Sequence, residues 1–441
     1  MKTTNRQHSL LWVTVAVMAS GLVSCHFGDE IEKQLSKYDG VVRDITFTFS
    51  ASKTEDNSAT RVSLTDNGLD GVASGWESTD EIALFDFGEI FTTDETATTI
   101  KSPKAIEMKY DSDAMGDTTG VDYANFTATT RAIMTESTIA DDYHFGLFYP
   151  YGKAKAMSSA SKSITLDFSG QNGSLNKIAK NFFYAWGYAK GTCQDAKVVL
   201  KEAMGEGNSQ CNNAEWHPHN IGENAIVLDN KMAIIRMHMV VNASKSFSDY
   251  LTEKGLEISK ITVTNRLGQW TDEDDNVTYA SDSSNISAAL LDLQSGTVSE
   301  SASASPSLVL DEPTVLNVHK NDTVKGVYAL TSGSKTVWGS TFYVAVPCPE
   351  TVTTAAGKTQ HQLTFRPLIE VETKAAEGKS PDECPTYWGS LSTKELKEGD
   401  YYITDCIMMS TDKTDIGAEA DIYLYYHSSF LWNDDDVIIL K

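Results

Sequence analysis

Apolar and polar residues alternate with period two along many short stretches of this chain. Ile45-Thr46-Phe47-Thr48-Phe49 is one such stretch, and the alternation predicts a strand with one buried face. Ile82-Ala83-Leu84-Phe85 is apolar at every position, which predicts a central strand covered on both faces. Further strands are predicted over Phe145–Tyr149, Phe182–Ala189, Ala225–Leu228, Met232–Val241 and Ile258–Thr264. Later ones are predicted over Val327–Leu330, Thr341–Val346, Gln362–Phe365, Tyr401–Met408, Ile422–Tyr426 and Val437–Leu440. Clusters of Gly, Asn, Asp and Ser between them supply turns. Short strands separated by turn signals predict an all-β chain built from β-sandwiches.

Helical patterns are few. Ile31 and Leu35 lie four apart within Asp29–Tyr38, enough for a short amphipathic tether. The Ser/Ala-rich run Ser299–Ser307 reads as a linker or long loop, and the polar stretch Gly205–Asn213 as another break. A boundary is expected within Thr192–Glu223, giving one unit over 43–205 and a second over 220–441. No repeat of fixed period is visible. Val437, Ile438, Ile439 and Leu440 form an apolar run at the end of the sequence. Left unpaired, such a run invites aggregation, so it is expected either to close its own unit or to serve as a donor strand.

Composition narrows the function. The 441 residues are 41% hydrophobic, enough for packed cores. Two or three domains are expected at roughly 100–200 residues each. Against 36 basic residues stand 61 acidic ones, a net charge of −25. A surface that acidic repels a phosphate backbone and has no general attraction to anionic lipid. Six cysteines are too few for a disulfide-built scaffold.

The N-terminus carries an address. Lys2 and Arg6 precede an apolar run of 14 residues, Leu10 to Val23, shorter than the ~20 residues a membrane-spanning helix needs. That pattern is a secretory signal. Its end, Leu22-Val23-Ser24-Cys25, looks like a bacterial lipobox, in which cleavage falls before Cys25 and its thiol is acylated. Residues 1–24 are then the signal peptide and 25–42 a tether. Asp29 and Glu30, just behind the lipid, resemble the export tag of surface lipoproteins in certain anaerobic Gram-negative bacteria. The remaining cysteines are Cys193, Cys211, Cys348, Cys384 and Cys406. Their number is odd, so one stays unpaired or pairs between chains. Cys193 and Cys211 could close a polar loop, and Cys384 and Cys406 could bridge two strands.

Chemistry-bearing motifs are sparse. Neither His-Glu-x-x-His nor Gly-x-Ser-x-Gly occurs. Gly378-Lys379-Ser380 lacks the earlier glycine of a phosphate loop, because Thr373 stands there. Cys211, Glu215, His217 and His219 form a metal-like cluster, but Pro218 between the histidines favours a solvated loop. Asp272–Asp275 and Asp434–Asp436 are acidic runs without the 12-residue spacing of a calcium loop and read as turns. His238, on an apolar strand, reads as a satisfied core histidine. No cofactor, metal or enzymatic activity is therefore expected.

Several segments occur in a suggestive order. Thr60-Arg61 is followed by Gly75-Trp76, then Asp80-Glu81-Ile82 leading into a strand. Ala124-Asn125-Phe126, Phe148-Tyr149-Pro150-Tyr151, Gln171 and Phe183-Tyr184-Ala185-Trp186 come next. Met237-His238-Met239, Leu291-Asp292-Leu293, Phe342 to Pro347 and Leu396 to Tyr402 complete the series. This order, behind a lipobox, resembles the fimbrillin family, lipoprotein subunits of type V pili in anaerobic Gram-negative bacteria. The same residues have packing roles: Trp76 can cap a sandwich, Asp80 can bind backbone N–H groups of its turn, and Pro150 and Pro347 can end strands.

The resemblance implies two tandem transthyretin-like β-sandwiches and assembly by strand exchange. A trypsin-like surface protease would cut after an arginine and free the first strand, whose groove a neighbour's strand then fills. Ile45, Phe47 and Phe49 would occupy that groove. Cutting after Arg61 would release the whole strand, whereas cutting after Arg43 would leave most of it, so Arg61 is the better placed. Uncut, the protein would remain a lipid-held anchor or a solitary surface protein. The partners implied are other pilus subunits, the outer membrane through the lipid, and host or bacterial surface ligands. Asp117-Thr118-Thr119 and Asp322-Thr323-Val324 resemble the O-glycosylation sites of the same bacteria. The rival reading is a non-polymerising surface lipoprotein that binds glycans, for which eight tryptophans and 18 tyrosines leave room.

Overall fold

The structure is a computed structural model. It describes residues 42–52, 63–66, 72–87, 90–92, 103–112, 123–134, 143–202, 225–242, 245–265, 269–271, 277–279, 285–318, 339–349, 351–353, 359–361, 364–365, 367–390, 394–408 and 424–427. Cys25, Arg61, Cys211, Glu215, His217, His219, Val327–Leu330 and Val437–Leu440 lie outside the described residues, as do both acidic runs and both glycosylation-like triplets.

The chain is all-β with short helices. Its first part contains β1 (Val42–Ser52), β2 (Glu81–Asp86), β3 (Ile106–Tyr110), β4 (Tyr123–Ile133) and β5 (Tyr143–Tyr149). It continues with β6 (Ser163–Asp167), α1 (Leu175–Asn181), β7 (Ala185–Gly191), β8 (Lys197–Val199) and β9 (Ala225–Val227). All of these strands except β6 lie in one 11-stranded sheet, along which β8, β1, β4, β3, β2, β5 and β7 are neighbours in that order. Beyond β7 the sheet is completed by Lys201–Glu202 and Asp229–Asn230, which continue from β8 and β9 respectively. Two short runs, 197–202 and 225–230, thus each pair first with β1 and then with β7, drawing the two ends of the sheet together.

The second part holds β10 (Met232–Asn242), α2 (Phe247–Glu253), β11 (Leu256–Asn265), β12 (Ala288–Asp292), β13 (Ser307–Leu310) and β14 (Leu316–Val318). It ends with β15 (Gly339–Pro347), β16 (Pro367–Ala375), β17 (Thr386–Ser390), β18 (Tyr401–Ile407) and β19 (Leu424–His427). One sheet runs β14-β15-β10-β18-β19 and another β13-β11-β16-β17. A third sheet joins β12 to β6 of the first part.

Hydrogen bonding therefore crosses the expected boundary, whose residues 205–220 are outside the description. Besides the β6–β12 ladder, the loop 171–173 lies against β15. Gly173 O accepts the Tyr343 N–H at 2.8 Å. The Gln171 side chain donates to Ala345 O and accepts from Ala345 N, both at 2.8 Å, so one amide does the work of a strand partner. Gly173 has φ +86, and a Cβ there would lie 2.9 Å from Thr314 O, so only glycine fits. Buried side chains from both parts form one continuous cluster that includes residues from Ile45 to Met408.

Three expectations need correction. The strand expected over Phe182–Ala189 starts only at Ala185, because α1 ends at Asn181 and Phe182 caps it. The Ser174 hydroxyl starts that helix by accepting the Lys177 N–H at 3.2 Å. Cys384 is exposed with a free thiol, so the bridge to the buried Cys406 is absent. The Ser/Ala run is a loop only in its middle: Val298–Glu300 is a strand and Ser307 begins β13.

Candidate functional site: the slot that holds β1

β1 is built to be half-buried. Ile45, Phe47, Phe49 and Ala51 face inward and are buried, while Thr46, Thr48 and Ser50 face outward. Fully burying each large apolar side chain is worth about 1.5–3 kcal/mol. The Phe47 ring meets Phe91 edge-on at 5.4 Å and Phe145 at 5.5 Å. Phe49 stacks on Phe126 at 5.3 Å. Outside, hydroxyls replace apolar contacts: Thr46 and Thr129 share a hydrogen bond of 3.0 Å, and Ser50 donates to Asn125 at 2.5 Å.

The two walls of the slot differ. One is β4, antiparallel to β1 and in register with it from Val42↔Ile133 to Ser52↔Tyr123. The other is made of two short parallel pieces, β8 against Thr46–Thr48 and β9 against Ser50–Ser52. Thr46 N donates to Ala196 O at 3.0 Å, and Leu200 N to Thr48 O at 2.8 Å. This composite wall has its own anchorage on β7. A Cβ on Gly191 would lie 2.5 Å from Val198 Cγ1, and one on Gly187 would collide with Leu228. Glycine at these strand positions permits the close crossing.

Behind the slot lies a buried turn. Trp76 packs on Phe126 at 4.9 Å and on Tyr149 at 6.1 Å, so it does close this end of the core. Asp80 Oδ2 accepts the Glu77 N–H at 2.9 Å, as its turn position predicts, and its Oδ1 accepts from Tyr149 Oη at 3.4 Å. Burial pushes the Asp80 carboxyl up to about 8, despite the Glu77 hydrogen bond that opposes the shift.

Of the two arginines, Arg43 is described. It sits in the ladder opposite Ala132, and its guanidinium donates to Met134 O at 2.9 Å and to Cys193 Sγ at 3.9 Å. A protease of trypsin-like specificity needs the backbone free of its ladder and the guanidinium in its own pocket. Neither is on offer at Arg43 while β1 is paired. Immediately after Arg61, Ser63–Asp66 pairs with Val72–Gly75, so the chain beyond that point is already fixed in the fold. Cys193 is buried. Its expected partner Cys211 is outside the described residues.

His238 lies in β10, apart from the slot. Its Nδ1 is 2.8 Å from Thr341 Oγ1, and burial, aided by the nearby Arg236 charge, pushes its pKa down to about 3. It is a core histidine, as its apolar strand suggested.

The sequence reading missed β4 as a strand. Ala124, Ala128 and Ala132 supply most of its inward positions, and their small side chains blur the alternation that Phe126 alone marks. Gly187 and Gly191 were a usable signal, since glycine inside a strand often marks a close backbone approach.

No protein family and no curated protein matches the sequence. Solved structures do. A candidate cell adhesion protein from Bacteroides uniformis aligns over 88% of this chain and 98% of its own, at 11% identity and TM-score 0.36. One from Bacteroides ovatus aligns over 83% and 95%, at 12% identity and TM-score 0.34. The tip fimbrial protein Mfa3 of Porphyromonas gingivalis, truncated at its C-terminus, aligns over 87% and 99%, at 11% identity and TM-score 0.27. Similarity at these TM-scores is loose.

Proposed function

We propose that this chain is a non-enzymatic subunit of a surface pilus, structural and adhesive or accessory as an anchor or tip, assembled by strand donation after lipoprotein export. The observation that supports the reading is β1. It is the first of the described strands, with alternating inward residues, held between two walls that each have pairing of their own, and followed at once by the stretch that contains Arg61. In this reading residues 1–24 direct export, Cys25 carries the lipid on the outer membrane, and 25–42 are the tether. The units over 43–205 and 220–441 are the two sandwiches.

A cut after Arg61 detaches β1 from the hairpin that follows, and a strand from a neighbouring subunit takes its place by backbone pairing along β4. Val437, Ile438, Ile439 and Leu440 are the candidate donor. Arg43 is the worse substrate, because its guanidinium and backbone are both engaged. A Cys193–Cys211 bond would tie the polar loop between them to the slot's edge.

The rival, a non-polymerising surface lipoprotein binding glycans, needs an open aromatic row. Phe87, Tyr188 and Trp186 do stack in sequence, at 5.8 and 6.4 Å. Tyr188 and Trp186 are buried, however. N-terminal sequencing of protein recovered from cells tests the proposal. A start at Val62 in high-molecular-weight fibres is the expected result. A lipidated Cys25 start in every recovered form, with no fibres containing the chain, overturns polymerisation.

A further inference from the structure

The slot is joined to the second part of the chain by one uninterrupted run. Residues 225–227 pair with Ser50–Ser52 of β1. Two residues later, Asp229 and Asn230 pair with Trp186 and Ala185 of β7. Lys231 follows, buried, with its N–H on Tyr184 O at 2.8 Å. Its ammonium sits 2.8 Å from Glu398 Oε2 and 5.1 Å from the centre of the Trp186 ring. Met232 then starts β10, the central strand of the second part; its carbonyl accepts the Gly399 N–H at 2.9 Å, and Ile234 N donates to Asp400 O at 3.0 Å. Nine residues thus pass from the wall of the slot to the core of the other half with no loop between.

We infer that the second half senses whether the slot is filled, through residues 225–233, with Lys231 as the node of the coupling. This rests on the strand-release reading and adds a regulatory consequence to it. Loss of β1 removes the outer partner of 225–227. That run then keeps only its contacts with β7 and with residues 201–202, and the start of β10 and the 398–400 turn lose part of their support. Local stability follows local contacts, so these amides open more often when the slot is empty. A returning strand restores them. The Lys231–Glu398 pair makes the link strong, because a buried ammonium without its carboxylate is costly.

Hydrogen exchange read by mass spectrometry on the full chain tests this. In the double variant Phe47→Ala/Phe49→Ala, β1 stays attached but loosely held. Exchange over 233–240 is expected to rise roughly tenfold alongside that of β4. A rise confined to β4 overturns the coupling. In a second arm the chain is nicked after Arg61 and a synthetic Val42–Ser52 peptide is added back. Protection at 233–240 is expected to fall on release and to return with the peptide. Failure of the nicked strand to leave would count against strand release, while the Phe47→Ala/Phe49→Ala arm still decides the coupling. Finally, Lys231→Met is expected to disconnect 233–240 from the state of the slot while β4 still responds. Should that variant not fold, Glu398→Gln breaks the same pair. An undiminished response at 233–240 in the variant used overturns the assignment of Lys231.

Discussion

β1 and β10 are both eleven-residue strands, each with an antiparallel neighbour on one side and parallel pairing on the other. Their burial patterns differ. β1 buries every second residue and offers hydroxyls outward. β10 is buried continuously from Met232 to Met239, and even Arg236 and His238 lie within the core. The same position in a sheet can therefore hold a strand whose removal would open one face, or a strand whose removal would open two. Pairing topology does not separate the two strands; the second face does.

The largest effect that would sharpen this contrast is a charge in the doubly buried strand. Ile235→Asp is expected to cost more than about 5 kcal/mol and abolish soluble folded protein, because Ile235 is fully buried and a carboxylate there would lose its water. Soluble expression and circular dichroism check it. Phe47→Ala is expected to cost about 3–5 kcal/mol, the usual range for a deeply buried aromatic, yet to leave a folded body. Denaturant unfolding measures the cost, and faster exchange in β4 than in β11 identifies the slot as its location.

A third test uses pH, with opposite signs in the two regions. Asp80 is held up to about 8, so the folded state binds a proton that the unfolded state loses above about 4. Its contribution to stability falls as pH rises from about 4 to 8. His238 is held down to about 3, so below its ordinary value of 6.5 the unfolded state binds the extra proton. Its contribution falls as pH drops from 6.5 towards 3. Either slope is at most about 1.4 kcal/mol per pH unit. Asp80→Asn is expected to flatten the fall on the alkaline side and His238→Gln the fall on the acid side, read as Tm against pH. The smallest effect is Thr48→Val on the outer face of β1, expected within about 0.5 kcal/mol. A large loss there would mean that the outward face carries more than solvent-side contacts.

The strands of this comparison were legible for different reasons. Ile45, Phe47 and Phe49 spell out a period of two, and Met232–Met239 is a long run broken only by Arg236 and His238. β4 was hidden because alanine marks a buried position poorly. α1 and α2 were hidden because each is a seven-residue helix with two buried residues at most, too short for a period of 3.6 to stand out. The rival arginines were visible in sequence, but only the register opposite β4 explains why Arg43 is a poor target. Least legible of all was the pairing between distant segments, such as β6 with β12 or Gln171 with Ala345. Nothing local in a strand names its partner.

In the proposed fibre the Gln171 amide would bear on growth. By occupying both backbone groups of Ala345 it fills a stretch of sheet margin where a stray strand could otherwise add. β15 is thereby closed to a stray strand at that point, and under the proposed strand donation addition would fall to the first half. Copies joined in this way would lengthen end to end, with no branch arising at β15.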